Sequence, residues 1–141
     1  MNNITNILKP KSTEDIRKDL SKISKRKLNQ YLMIESMNGN LNMIKILLDI
    51  GADINAKDHI NWTPLFWATC YGNEEVVKYL LEHGAKLIKT KGNITALDYA
   101  RRSKQPKTII TLLEQHKINN ENILLKFIKK FKNVFLFYIN N

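Results

Sequence analysis

One interval organises this chain: displaced by 33 residues, the sequence falls on itself at position after position. Leu32 meets Leu65, Gly39-Asn40 meets Gly72-Asn73, Ile44 meets Val77, Leu47-Leu48 meets Leu80-Leu81, and Gly51-Ala52 meets Gly84-Ala85. A further displacement of 32 brings Thr63, Leu65, Ala68, Leu80 and Leu81 onto Thr95, Leu97, Ala100, Leu112 and Leu113. Glycines, leucines and the distances between them recur together, which is the signature of a stacked-repeat architecture.

The best-formed copy shows what each unit contains. The Thr63 hydroxyl can cap a helix by accepting a bond from a first-turn N–H. Pro64 then occupies the first helical position, where its missing N–H is of no consequence. Leu65 and Ala68 share a face, and the small Ala68 lets a neighbouring helix approach. Gly72 can adopt the left-handed conformation that ends a helix. Asn73 is placed to cap the next helix, whose first turn carries Glu74 and Glu75 where carboxylates favour the dipole. Glu74 and Lys78 are spaced for an i,i+4 ion pair. Val76, Val77, Leu80 and Leu81 make an apolar stripe, and Gly84 ends the second helix. The unit is thus a pair of short antiparallel helices with a turn-rich link. It cannot bury its own apolar face, and stacking neighbours supplies the cover.

The stretch DHINWTPLFWATCYGNEEVVKYLLEHGA at residues 58–85 resembles an ankyrin repeat, through Thr-Pro-Leu-x-x-Ala and the 33-residue period. Residues 28–57 resemble a repeat that has lost its Thr-Pro but keeps Gly51-Ala52-Asp53-Ile54-Asn55. Residues 90–116 resemble a terminal repeat that keeps Thr95-Ala96-Leu97-Asp98-Tyr99-Ala100, with Lys104 and His116 in place of the two glycines. Phe66 stands where the family usually has a histidine, so the polar bonds of that side chain are not expected. The resemblance implies an all-α ankyrin-repeat solenoid of stacked helical hairpins, with repeats at about 28–57, 58–89 and 90–116. Flanking helices are expected in segments 1–27 and 117–141.

In the N-terminal segment, Ser12-Thr13-Glu14-Asp15 opens a helical pattern with Ile16, Leu20 and Ile23 on one side, followed by Lys22, Lys25, Arg26 and Lys27. It reads as a helix covering the first repeat, or else as a basic docking arm or a partly disordered tail. In the C-terminal segment, Leu124, Phe127, Ile128, Phe131, Phe135 and Tyr138 recur at spacings of three and four, with Lys126, Lys129, Lys130 and Lys132 between them. This is an amphipathic helix with a cationic side. A solenoid needs its last apolar face covered, so the segment reads as a cap whose deletion would destabilise the fold. A helix on an anionic membrane surface and a docking segment for a partner protein are the alternatives.

Composition narrows the function. The longest apolar run, Val134–Ile139, falls far short of the roughly 18–20 residues of a membrane span. The first residues, through Lys9, contain no apolar block of the kind a secretory signal carries. Cys70 is the single cysteine, which excludes an internal disulfide and a cysteine-based zinc site. A reducing compartment, the cytoplasm or a host-cell cytosol, is the expectation. The formal charge of +10 reads as solvated surface or as an anion-attracting patch. No nucleic-acid module with aromatic platforms accompanies it, so specific nucleic-acid binding is not expected. His59, His83 and His116 lack metal-ligand spacing. Neither a glycine-rich phosphate loop nor a nucleophile elbow occurs. No enzyme activity, cofactor or metal is expected.

What remains is surface. In an ankyrin repeat the turn before the first helix and the outward side of that helix line a concave face. The resemblance therefore implies partner-binding positions at His59, Ile60, Trp62, Trp67, Cys70 and Tyr71. Ile34, Met37 and Asn38 precede them, and Lys91, Ile94, Tyr99, Arg102 and Ser103 follow. Trp62 and Trp67 either pack along neighbouring turns and stabilise the stack or serve as contact hot spots, which favour Trp, Tyr and Arg. The expectation is a monomeric adaptor or scaffold for a protein partner. A peripheral membrane protein held by its C-terminal helix is the alternative.

Overall fold

The structure, a computed structural model, describes residues 12–139, with side chains described through Lys132. Among the described residues there are seven helices and no strand: α1 (Thr13–Leu20), α2 (Lys25–Asn38), α3 (Leu41–Asp49), α4 (Pro64–Cys70), α5 (Glu74–Glu82), α6 (Ala96–Arg102) and α7 (Lys107–Ile139). Helices α2/α3, α4/α5 and α6/α7 form three successive hairpins. Within the stack, α4 packs between α2 and α6, and α5 packs on α7.

The 33-residue period is a burial period. Leu32, Leu65 and Leu97 are buried at one level, Ile44 and Val77 at another, and Leu47, Leu80 and Leu113 in the second helices. They belong to one continuous core that runs from Leu28 to Leu113. Ala68 and Ala100 are fully buried, with only a methyl group between backbones, so adjacent first helices sit close together. The start signals act as the sequence implies. The Thr63 hydroxyl accepts from the Phe66 N–H at 3.2 Å, and Thr95 and Asp98 form a reciprocal capping box. Gly72 takes φ +72°, and Gly39 takes φ +76° at the same place in the first hairpin.

Two helices are longer than the repeat requires, and each lacks a punctuation residue. No Thr-Pro precedes residue 31, so α2 starts early, at Lys25, and runs through the boundary drawn at residue 28. At the other end His116 replaces the terminating glycine. Nothing there favours a positive φ, and α7 continues unbroken for 33 residues, across the boundary drawn at 117. Only its first part belongs to the stack: Ile109 and Leu113 are fully buried, whereas every residue from Lys117 to Lys132 is exposed. The expected cap over the last repeat is therefore not found among the described residues. The side chains of Phe135 and Tyr138, expected on the same apolar face, lie outside them. Within the end repeat the exposed Arg101 guanidinium of α6 pairs with the Glu114 carboxylate of α7 at 2.7 Å.

At the opposite end α1 is capped by Ser12, whose hydroxyl accepts from the Asp15 N–H at 3.1 Å while the Asp15 carboxylate returns the bond. Leu20 and Ile23 rest on the core, and Arg17 pairs with Asp49 of α3 at 2.8 Å. Residues 1–11 of the expected N-terminal segment lie outside the described residues.

Side-chain amides bolt the hairpins to one another. Asn73 does not cap α5. Its amide reaches back and donates to the carbonyls of Ser36 (2.9 Å) and Met37 (2.7 Å) at the end of α2. One repeat on, Gln105 donates to the Cys70 carbonyl at the end of α4 at 3.0 Å. Asn40, which occupies the same place in the first hairpin, does cap its helix through the Met43 N–H. The difference follows from position: Asn73 and Gln105 have a preceding hairpin with helix-end carbonyls in need of donors. Glu74 likewise does not turn to Lys78 but accepts from the Thr108 hydroxyl of α7 at 2.7 Å.

Candidate partner-binding face

Two turns, at 58–62 and 90–94, precede α4 and α6 and are built alike. The Asp58 N–H donates to the Trp62 carbonyl at 3.0 Å, and the Thr90 N–H to the Ile94 carbonyl at 2.9 Å. Asn61 (φ +63°) and Asn93 (φ +60°) take the left-handed conformation at matching places, which asparagine tolerates better than other non-glycine residues. The Asp58 carboxylate accepts from the Ile60 and Trp62 N–H groups at 2.9 and 2.8 Å, fixing the first turn internally. The Lys91 N–H then donates to the Ile60 carbonyl at 3.0 Å and ties the second turn to the first.

These turns and α4 carry a row of aromatic side chains. The Trp62 ring lies 4.5 Å from that of Phe66 and 4.6 Å from that of Trp67. Trp67 continues to Tyr71 at 6.2 Å, and Phe66 to Tyr99 of α6 at 5.4 Å. Burial is graded along the row. Phe66 is fully buried, Trp62, Trp67 and Tyr99 are half-buried, and Tyr71 is 58% exposed. Phe66 explains the substitution of the family histidine: an apolar ring fills the site and links the aromatic layers of two repeats. That role of Phe66 was invisible in the sequence, where it shows only as a departure from the pattern.

The remaining positions are scattered in character. Ile94 is half-buried against the core, and Ile60 is half-buried and held through its backbone. His59 is exposed beside a groove between α2 and the first turn, lined also by Lys25, Arg26, Lys57 and Asp58, so three basic side chains face one carboxylate and that end of the face is net cationic. Arg102 is exposed and lies within electrostatic reach of Asp98. The structure thus joins Trp62, Trp67, Tyr71 and Tyr99 in one row, with Ile60 and Ile94 on the paired turns. His59 and Arg102 are solvated residues of the same turns and helices. Of the positions expected in the first repeat, Ile34 and Asn38 are exposed and Met37 is half-buried.

Cys70 sits at the end of α4, half-buried. Burial pushes its thiol up to about 11 from 9.0, against a smaller opposing effect of its hydrogen bond with Tyr99. A thiol this reluctant to ionise is a packing group and a poor nucleophile at neutral pH. The Thr95 N–H and hydroxyl, in the capping box, hold the Asp98 carboxyl below its usual range. Among the described residues no cluster of three potential ligands could hold a metal ion, and no helix is long and apolar enough to cross a membrane.

Comparison with known proteins agrees with this geometry. The family model for ankyrin repeats, in three copies, matches residues 32–122. The chain is 37% identical over 84 residues to ankyrin repeat and SAM domain-containing protein 6 of Rattus norvegicus, covering 58% of this chain and 10% of that protein. It is 34% identical over 102 residues to a putative ankyrin repeat protein of Borreliella burgdorferi, covering 72% of this chain and 47% of that one. A shorter match, 41% over 49 residues, covers 35% of this chain and 32% of human protein phosphatase 1 regulatory subunit 27. The chain thus spans less than half the length of each of these relatives. A period that is also a burial period, paired turns before the first helices and a family match across the whole stack all give one assignment: this chain belongs to the ankyrin-repeat family.

Proposed function

We propose that the chain is a non-enzymatic adaptor or scaffold that binds a protein partner through the turns before α4 and α6 and the outward side of those helices. Ankyrin repeats generally serve protein–protein interaction, and a regulatory subunit stands among the relatives. The observation that carries the reading is the graded aromatic row. Tyr71 and Trp67 are held by ring contacts at one edge and open at the other. A partner would find them already ordered, so little side-chain freedom is lost on contact. Large rings with a polar tip are the residue types that dominate interface energetics. The cationic groove beside His59 favours an acidic stretch of the partner at that end.

The test is affinity capture from a cell extract with the intact chain and with Tyr71→Ala and Trp67→Ala, alongside thermal melts of each. A hot-spot truncation costs about 2 kcal/mol or more, a roughly 30-fold loss of affinity. Loss of a captured protein by Tyr71→Ala, with the melting temperature unchanged, supports the assignment. An identical set of captured proteins from all three sinks it.

A further inference from the structure

We propose that the free half of α7 lies on the surface of an anionic phospholipid bilayer. The helix carries on past the last buried position of the stack, Leu113, and its described apolar side chains there stay largely open: Leu124, beside Leu87 and Leu97 of the last repeat, is 59% exposed, and farther out Phe127 is 57% and Phe131 66% exposed. Aromatic and aliphatic groups of this size are normally found covered.

The arrangement around the helix is two-sided. At 3.6 residues per turn, Ile123, Leu124, Phe127, Ile128 and Phe131 fall within one arc of about 140°. The Phe127 and Phe131 rings stack at 6.5 Å, as neighbours on one face do. Lys126, Lys129, Lys130 and Lys132 lie on the rest of the circumference, interrupted by the exposed Leu125, with Lys130 and Lys132 nearest the two borders of the apolar arc. At those borders a lysine can lay its methylenes along the apolar face and reach up to a phosphate. A face of Phe, Leu and Ile backed by lysines is the pattern of a helix lying in the interfacial layer.

Charge selects this occupant over a second copy of the chain. From residue 122 onward the chain carries four lysines and no acidic residue. The nearest carboxylate, Glu121, is directed to Lys117 at 3.9 Å. Two such helices joined along their apolar faces would bring lysines together with no carboxylate between them. An anionic bilayer supplies opposite charge and apolar depth at once.

The experiment is flotation of the full chain with vesicles of phosphatidylcholine alone or of phosphatidylcholine with one third phosphatidylglycerol. The chain should float with the mixed vesicles and bind at least tenfold less to the neutral ones. Phe127→Glu/Phe131→Glu should abolish flotation while leaving the thermal melt unchanged, since neither ring is part of the stack. Replacing the four lysines by glutamine should reduce binding to the neutral-vesicle level. No flotation with the mixed vesicles overturns the proposal. So does retained binding by the phenylalanine variant, which would mark attraction by charge alone. Light scattering that shows a dimer turned into monomer by the same variant, without vesicles, would assign the face to a second copy and likewise overturn it. Tyr71→Ala should float as the unaltered chain does, which keeps this surface separable from the aromatic row.

Discussion

Replacing Gly39 by alanine should destabilise the stack more than the same change at Gly72, although the two glycines are equivalent by sequence. Both hold nearly the same backbone, φ +76° and +72°. A left-handed conformation costs a residue with a side chain about 1–2 kcal/mol, and alanine recovers about 0.4–1 kcal/mol by restricting the unfolded chain. Gly72→Ala should therefore lose about 1 kcal/mol. Its new β-carbon would meet only the Gln105 Oε1, at 3.4 Å. A β-carbon at Gly39 would stand 2.9 Å from the Asn73 Oδ1 and 3.1 Å from its Cγ. Asn73 would have to swing away and surrender its bonds to the Ser36 and Met37 carbonyls. At about 1 kcal/mol for each bond, Gly39→Ala should lose about 3 kcal/mol. Urea unfolding of both variants, read as midpoint shifts at constant slope, measures the difference. In an Asn73→Ala background the extra loss at position 39 should vanish, leaving about 1 kcal/mol. Equal losses at 39 and 72, or strict additivity with Asn73→Ala, would refute the claim that Asn73 joins the hairpins.

Lys104, the third-repeat counterpart of Gly72, takes φ +53°, so Lys104→Gly should raise the urea midpoint by up to about 1 kcal/mol of stability; a fall would contradict it. Leu80 is fully buried in the middle hairpin. Leu80→Asp should lose several kcal/mol and give an unfolded circular dichroism spectrum, whereas a folded monomer would show the burial to be wrong. The Cys70 thiol should react slowly with iodoacetamide at pH 8, accelerating only as the pH approaches about 11. The thiol is half-ionised near pH 9.0 in the unfolded chain and near 11 in the folded one, so it removes stability as pH rises through that window; fast labelling at neutral pH would place the thiol in solvent. Truncation after Asn122 should leave the melting temperature of the stack nearly unchanged, because the side chains described beyond it, through Lys132, are exposed; a large drop would restore the capping role.

The stack was legible because its information is periodic. Leu32, Leu65 and Leu97 announce a shared buried level by their spacing, and Thr63-Pro64 announces a helix start by local chemistry. The aromatic row was half legible: Trp62, Trp67 and Tyr71 stand beside the Thr-Pro, but the ring of Phe66 that connects them to Tyr99 gave no signal of its own. Asn73 was misread for a physical reason. Its sequence neighbours make it look like a cap, while its partners lie 36 and 37 residues away. No local rule could anticipate a donor spent on the previous hairpin. The overrun of α7 was written in the replacement of a glycine by His116, yet that loss reads equally as a repeat that decays at its edge. Only the continuous helix distinguishes the two.

The amides of Asn73 and Gln105 give the chain a property that outlasts any one length. The second and third hairpins each carry a fastener to the one before, Asn73 to the carbonyls ending α2 and Gln105 to the carbonyl ending α4. A genetic duplication that copies residues 58–90 in place would reproduce a finished joint on both sides of the insert, with no new chemistry to invent. Growth or shrinkage by whole units is thus open to this lineage, whereas a crossover a few residues out of phase would strand a donor and leave two carbonyls unmet.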